Sequence, residues 1–551
     1  MHSANLKSSF LPDKLILPEV SLPSDLPVDL AALTLLMDAQ RAAHQAAVNL
    51  LEGQFRNQLN RLIEQFILSR HRQFGVSSEQ LSGQGRLFDE AELLAAGTTE
   101  AQDLAVIPAE LTAADNAADN AKAKARGKRA PLPAELPRVV IFHDVPEADR
   151  FCACGTPMVL MGQQISEQLD IVPMQIRVLQ HVRNTYGCPV SEHAPVTAPV
   201  PVQPLPKTNA SADFLAMLLT VKYVDGLPLT RFNKVLNRHG APVPVQTLAR
   251  WVIGSAEKVL QPLFNVMRDT LFDGRFIHMD ETVVQVLKEK DKSPTSNSYM
   301  WVGVGGPPGK PVVIYDYDPS RSGAVPARLL QGYQGYLMTD GYEGYNQLVR
   351  TEQIAHLVCW AHVRRKFVEA TRVQPKGRKG LADQAVALIG RLYGVERKYK
   401  EASVEERHLA RQSLSLPILA ELRTWLDKTQ PAILPKSALG AALSYMNNYW
   451  DKLTRYTEAG DLPVDNNRCE NAIRPFVVGR KAWLFSDTPA GANASAIIYS
   501  MVETAKANGL DPYAWLRRVM RDLPSARTVE EVETLLPWNL HAADLTIEMV
   551  R

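Results

Sequence analysis

"RFIHMDETVVQVL", residues 275–287, is where the chain changes its period. Upstream the apolar residues recur every three or four positions. Here they alternate, so that Phe276, His278, Asp280 and Thr282 share one face of a predicted strand. "YMWVGVGG" (299–306) and "KPVVIYDYDPS" (310–320) read as two further strands. Short connections containing Gly, Pro and Asn join the three, which predicts antiparallel hairpins. "AVPARLLQGY" (324–333) reads as a short helix and "GYLMTD" (335–340) as a fourth strand. After the brief segment "YNQLV" (345–349), "QIAHLVCWAH" (353–362) supplies a fifth.

Three strands, a helix, a strand, a helix, a strand and then helices is the element order of the ribonuclease H-like fold, a mixed sheet with helices on both sides. In that order the first and fourth strands are neighbours at the sheet centre, and each carries an acid, Asp280 and Asp340. Taken alone, Asp340 has two readings. It can end a strand and start a turn with Gly341, or stand at the carboxyl end of a buried strand, where α/β proteins place their chemistry. Two carboxylates brought together repel, so one takes up a proton or both share a cation. A pair of Mg²⁺ ions about 3.5–4 Å apart suits such a site and serves phosphoryl transfer. A third carboxylate from a flanking helix would complete it. "LPVDNNRCENAIRPFVVGRKAWLF" (462–485) offers Glu470, one turn into a helix capped by Asp465. By spacing alone, Glu470 equally fits an i,i+4 ion pair with Arg474.

A chain of 551 residues exceeds a single core and implies three to four domains. Its 46% apolar and 22% charged composition is that of an ordinary soluble protein. No run of about 18 apolar residues suits a membrane span, and "MHSANLKSSFLPDK" lacks the pattern of a secretory signal. With 61 basic and 59 acidic residues the net charge is only +2, so nucleic-acid binding rests on local clusters. Five cysteines fit a reducing cytoplasm better than a disulfide framework.

The expected organisation follows. Residues 1–94 are helical, with Val48, Leu51, Phe55, Leu59, Leu62 and Phe66 forming a stripe that lies on its own domain or pairs with a second copy. The polar stretch from "SRHRQF" onward leads to a basic Ala-rich linker, 95–137, whose Lys128 and Arg129 either meet DNA phosphates or face solvent. Residues 138–200 hold Cys152, Cys154, Cys188 and His193, a zinc set with C-x-C spacing or a small β-rich module that folds without metal. Residues 201–270 are helical, with a break at Gly240–Pro244 that fits a helix-turn-helix presenting Gln246, Thr247 and Arg250, or two packed bundle helices. A catalytic domain spans 271–505, with a helical insertion at about 365–460, and 506–551 closes the chain.

"HMDET", "MTDGYEGYN", "CWAHVRRKF", "VDNNRCENAIRPFVVGRKAWLF" and "AIIYSMVETAKANGLDPYAWL" together resemble the DDE transposases of the IS66 insertion-sequence family. The likeness extends to "HRQFGVSSEQ", "LFDEAE" and "RAPLPAELPR", and so covers nearly the whole chain from about residue 45. The resemblance implies a multidomain α/β protein with a ribonuclease H-like catalytic domain, preceded by helical, zinc-finger-like and helical DNA-binding regions. It implies Asp280, Asp340 and Glu470 as a catalytic triad holding Mg²⁺ or Mn²⁺, as two ions. DNA cleavage at element ends and strand transfer into target DNA would follow. Arg364, Arg365, Lys366, Arg474, Arg480 and Lys481 become candidate phosphate contacts. In the family two C-x-x-C pairs are typical; here the first is "CAC", and Ser191 stands where the last cysteine would be. Double-stranded DNA is the implied partner, with a homodimer or higher oligomer, small accessory proteins of the same element, no membrane, and a place in the bacterial cytoplasm at the nucleoid.

Overall fold

The computed structural model describes residues 29–74, 176–186, 196–197, 202–346, 348, 354–374 and 379–545. Lys128, Arg129, Cys152, Cys154, Cys188, His193 and the Ala-rich linker lie outside the described residues.

Helix α1 (Leu30–Phe74) is continuous over 45 residues. It runs past Phe66 through "SRHRQF", which composition alone assigns to a polar connection. No Gly or Pro interrupts the chain between Gly53 and Gly75, so nothing stops the helix sooner. Phe55, Leu59, Leu62 and Phe66 stay 46–67% exposed and cover none of the core. The helix meets the rest of the protein where Glu64 accepts the Ala438 amide at 3.1 Å.

Among the described residues, α2 (Ala212–Tyr223), α3 (Leu229–Arg238), α4 (Val245–Gly254) and α5 (Gln261–Phe272) stand between α1 and the sheet. Ser211 caps α2 by accepting the Phe214 amide, while Pro228 and Pro244, lacking amides of their own, stand before α3 and α4. On α4, Leu248, Trp251 and Val252 are buried while Gln246 and Arg250 face solvent.

The sheet comprises β1 (Phe276–Gln285), β2 (Asn297–Gly305), β3 (Val312–Asp318), β4 (Gly335–Thr339) and β5 (Ile354–Val358), in the order β3-β2-β1-β4-β5. Two antiparallel pairs, β1–β2 and β2–β3, come from the hairpins. The chain then crosses through α6 (Ala324–Leu329) and returns parallel to β1 as β4, with β5 parallel beyond it. The result is a mixed five-stranded sheet with β1 at its centre. The edge strand β3 is covered by α14 (Pro489–Ala507), whose Ser500 and Thr504 hydroxyls accept the amides of Tyr315 (2.7 Å) and Val313 (3.0 Å). That satisfies backbone groups which would otherwise template another strand.

After β5 the chain builds α7 (Trp360–Thr371), α8 (Leu381–Lys398), α9 (Val404–Ala410), α10 (Leu416–Thr429), α11 (Ala438–Asn448) and α12 (Trp450–Thr454). These close a second core around Phe367, Leu392, Leu422 and Met446. Helix α13 (Asn467–Trp483) brings the chain back against β1, and α14, α15 (Pro512–Asp522) and α16 (Val529–Glu533) complete the first core. No described helix is long and apolar enough to cross a membrane.

Candidate carboxylate site

The β1–β4 ladder pairs Phe276 with Tyr336, Ile277 with Leu337 and His278 with Met338. Continued by two residues, this register sets Asp280 level with Asp340, just past the end of β4. One oxygen of each acid is tied to local backbone. Asp280 Oδ1 accepts the Glu281 amide and Asp340 Oδ1 the Tyr342 amide, both at 2.8 Å. Burial, then the nearby Asp340, Glu281 and Glu470, push the Asp280 carboxyl well above the usual carboxylate range. The backbone after Asp340 is clamped as well. The Tyr445 hydroxyl donates to the Asp340 carbonyl, and Tyr449 to that of Gly341 at 2.6 Å. Gly341 has φ +85°, a conformation glycine adopts freely.

Glu470 arrives on the first turn of α13. The cap differs from the expected one: Asn466 holds the N-cap position, while Asp465 accepts the Asn467 amide at 3.2 Å from one residue earlier. Glu470 is 3% exposed, and neither of its carboxylate oxygens has a hydrogen-bond partner. His362 Nδ1 lies 3.5 Å from Oε1, and Arg365 Nη2 lies 3.6 Å from Oε2. Burial above all pushes its carboxyl up to about 7; Asp465 and Asp340 add to the shift, while Arg365 opposes it.

Of the basic residues singled out from sequence, α7 carries Arg364, Arg365 and Lys366. Arg365 turns to Glu470. Arg364 lies near Tyr393, and Lys366 rests over the Tyr445 ring at 4.6 Å. Arg474 follows Glu470 by one helical turn, and Arg480 and Lys481 occupy the last turn of α13.

Three further residues at this site, Glu281, Arg321 and Asn466, escape a reading of the sequence. Glu281, its side chain 2% exposed, pairs with Arg321 Nη2 at 2.6 Å and accepts the Tyr345 hydroxyl at 3.2 Å. Asn466, fully buried, meets His278. The signal available was polar residues inside apolar runs, "HMDET" and "VDNN", which have to find partners if buried. Which partners they find depends on the fold.

The donor set suits a hard divalent cation: oxygen ligands, buried, with two orphaned carboxylate oxygens on Glu470 and a crowded acid at Asp280. Cys359 and His362, whose ligand atoms lie within 4.8 Å of each other and of Glu470, add softer donors on one flank.

The protein is thus a mixed α/β sheet on which two half-buried acids of neighbouring strands and one buried acid of a returning helix come together. Comparison with known families gives the narrower identity. The profile described as "Transposase IS66 family" matches residues 207–494, and the "IS66 C-terminal element" matches 500–538. Residues 61–141 match "Transposase C of IS166 homeodomain", and 149–190 match "zinc-finger binding domain of transposase IS66". The uncharacterized protein y4jD of Sinorhizobium fredii is 30% identical over 423 residues, 75% of this chain and 82% of its own. The uncharacterized protein y4qI of the same organism is 29% identical over 555 residues, 95% of this chain and 99% of its own. The chain belongs to the IS66 transposase family, and DNA is accordingly its partner.

Proposed function

We propose that this transposase cuts DNA at the ends of its element and joins those ends to target DNA, with Asp280, Asp340 and Glu470 as the working acids on a ribonuclease H-like sheet. The observation that carries the reading is the β1–β4 register, which sets Asp280 level with Asp340 while α13 buries Glu470 beside them. The three carboxylates would hold divalent metal, Mg²⁺ or Mn²⁺. When bound, such ions activate an attacking oxygen and stabilise the leaving one. The chain's own part is to present carboxylate oxygens, those of Glu470 buried and those of the aspartates half-buried, and to hold them still. The amides of Glu281 and Tyr342 fix one oxygen of each aspartate and leave the other free. Arg365 offsets the charge at Glu470, and His362, whose burial pushes its pKa down to about 3, remains neutral there.

In the first step water adds to the phosphorus at the element end and the P–O3′ bond breaks. The departing oxygen takes the proton as a 3′-hydroxyl, and phosphate stays on the flanking 5′ end. In the second, that hydroxyl adds to a target phosphorus and the target's own 3′ oxygen leaves, so phosphodiester number is conserved and no energy source is consumed. Two ends have to meet, and the exposed stripe of α1 offers a seam for a second copy; small proteins of the same element could assist. Full-length protein with Mg²⁺ or Mn²⁺ and labelled duplex bearing the inverted repeats beside its gene tests this. Wild type should nick and join, and Asp340→Asn should do neither while unfolding like wild type. Equal activity of the two ends the assignment.

A further inference from the structure

The chain leaves α13 through a strained turn. Leu484 has φ 66° and ψ −46°, and the Phe485 amide donates to the Trp483 carbonyl at 2.8 Å. This is a γ-turn with positive φ, rare for a residue that carries a β-carbon. Such strain persists where the surroundings over-determine it, and they do so here. Lys222 Nζ lies 3.9 Å above the Trp483 ring, and Tyr223 meets that ring edge-on at 6.3 Å. Gly479 provides the slot, since a β-carbon there would stand 2.5 Å from Trp483 Cη2. Past the turn, the Ser486 amide donates to the Gln285 carbonyl at 2.9 Å, and the Leu287 amide donates to the Ser486 carbonyl at 3.0 Å. The turn therefore fastens the far end of the helix bearing Glu470 to the far end of the strand bearing Asp280.

What this rigid turn displays is apolar. Leu484 is 66% exposed and Phe485 42%, with Val478 on the helix behind them at 54%. Around them stand cations: Arg480 and Lys481 on the last turn of α13, and Lys222 at the base. Burial lowers the pKa of both Arg480 and Lys222. An apolar tip with Arg480 and Lys481 on its helix side, and the Lys288–Asp487 pair at 2.7 Å just past it, complements duplex DNA, whose phosphates lie outside and whose stacked bases lie within.

We propose that Leu484 and Phe485 form a wedge that enters the base stack of bound DNA, with Arg480 and Lys481 on the flanking phosphates. This rests on the transposase reading above. Leu484 follows Glu470 by fourteen positions, about 20 Å along the helix, or roughly six base pairs of duplex. The unstacked step thus lies at about that distance from the bond held at the acids.

The experiment uses full-length protein carrying Asp340→Asn and duplexes of the gene's flanking inverted repeat, each with one 2-aminopurine at a successive position. Fluorescence should rise several-fold at one or two adjacent positions, roughly six base pairs from the element end. Phe485→Ala and Leu484→Gly, added to that background, should abolish the rise while DNA is still bound. Leu484→Gly should unfold at no lower temperature, because glycine adopts the turn without strain. A signal that is flat at every position, or one that survives both substitutions, overturns the wedge. So does a change in sedimentation of the free protein without any change in fluorescence, which would mark the face as a contact between copies. Failure of the acid assignment is distinct: Asp340→Asn would then cleave like wild type whatever the fluorescence does.

Discussion

The side-chain carbonyl of Asn466 lies 3.0 Å from His278 Nδ1, and its amide nitrogen donates to the Met279 carbonyl at 3.1 Å. Its backbone amide donates to Cys359 Sγ at 3.1 Å, so one buried residue ties the start of α13 to β1 and to the end of β5. With its nitrogen committed to Met279, the Asn466 oxygen accepts from His278 Nδ1–H. Burial first, then Arg468, pushes the His278 pKa down to about 4, which keeps that ring neutral. Asn466→Ala leaves a donor and an acceptor unpaired in the core, at about 1–3 kcal/mol each. Urea unfolding should register that loss, and strand transfer should fall with it as Glu470 loses its anchor. A variant with unchanged unfolding free energy would rule the tie out.

Gly341 constrains the other acid. A β-carbon there would stand 2.9 Å from the Tyr445 hydroxyl and 3.2 Å from the Tyr449 ring, at a φ of +85°. Gly341→Ala should cost about 1–3 kcal/mol through backbone strain. It should also impair DNA cleavage beyond that loss, because the same two tyrosines hold the backbone on which Asp340 stands. Thermal unfolding and cleavage measured on one preparation separate the two effects. Cleavage at the wild-type rate would contradict this account of the clamp.

The sheet was legible from residues 275–362 because alternation, turn residues and strand order are local properties. Strands β1 and β4 run parallel and advance together, residue for residue, which is why Asp280 and Asp340 fall level once the ladder is continued. Glu470 was different. Its i,i+4 distance to Arg474 fits an ordinary helix pair, and only the family resemblance assigns it to the acids. Helix α1 runs on through "SRHRQF" because polar residues do not stop a helix where no breaker stands. Asn466, Glu281 and Arg321 escaped notice because their partners come from other elements. No pattern within one segment encodes a buried match of that kind.

Glu281 tests how such a match is held. Its buried carboxylate is paired with Arg321, itself 44% exposed in its side chain, and is raised in pKa by burial and then by Asp340. Arg321→Ala leaves the acid without its counter-ion and should destabilise by about 1–3 kcal/mol, less than for a fully buried pair. Adding Glu281→Gln removes the stranded charge, so the double variant should lose about 1 kcal/mol less than the sum of the singles. Additive losses in a denaturant double-mutant cycle would show that the pair does not act as a unit.

Lys222 carries the clearest pH signature away from the acids. Burial lowers its pKa from 10.5 to about 8. A base whose folded pKa lies below its unfolded one burdens the fold wherever both states are charged, which is below about pH 8. Between about 8 and 10.5 the folded chain binds fewer protons, so stability rises with pH across that window. The ammonium over Trp483 offsets part of the cost below it. Lys222→Met keeps an unbranched apolar stem against the indole and removes the charge. It should unfold at a higher temperature than wild type at pH 7, and its stability should lose the rise between about 8 and 10.5. If the cation is retained at that cost because it serves DNA, the same variant should bind duplex more weakly, with a salt slope smaller by about one. A variant that gains stability and keeps the full salt slope would leave Lys222 a packing residue and take it out of the cations beside the wedge.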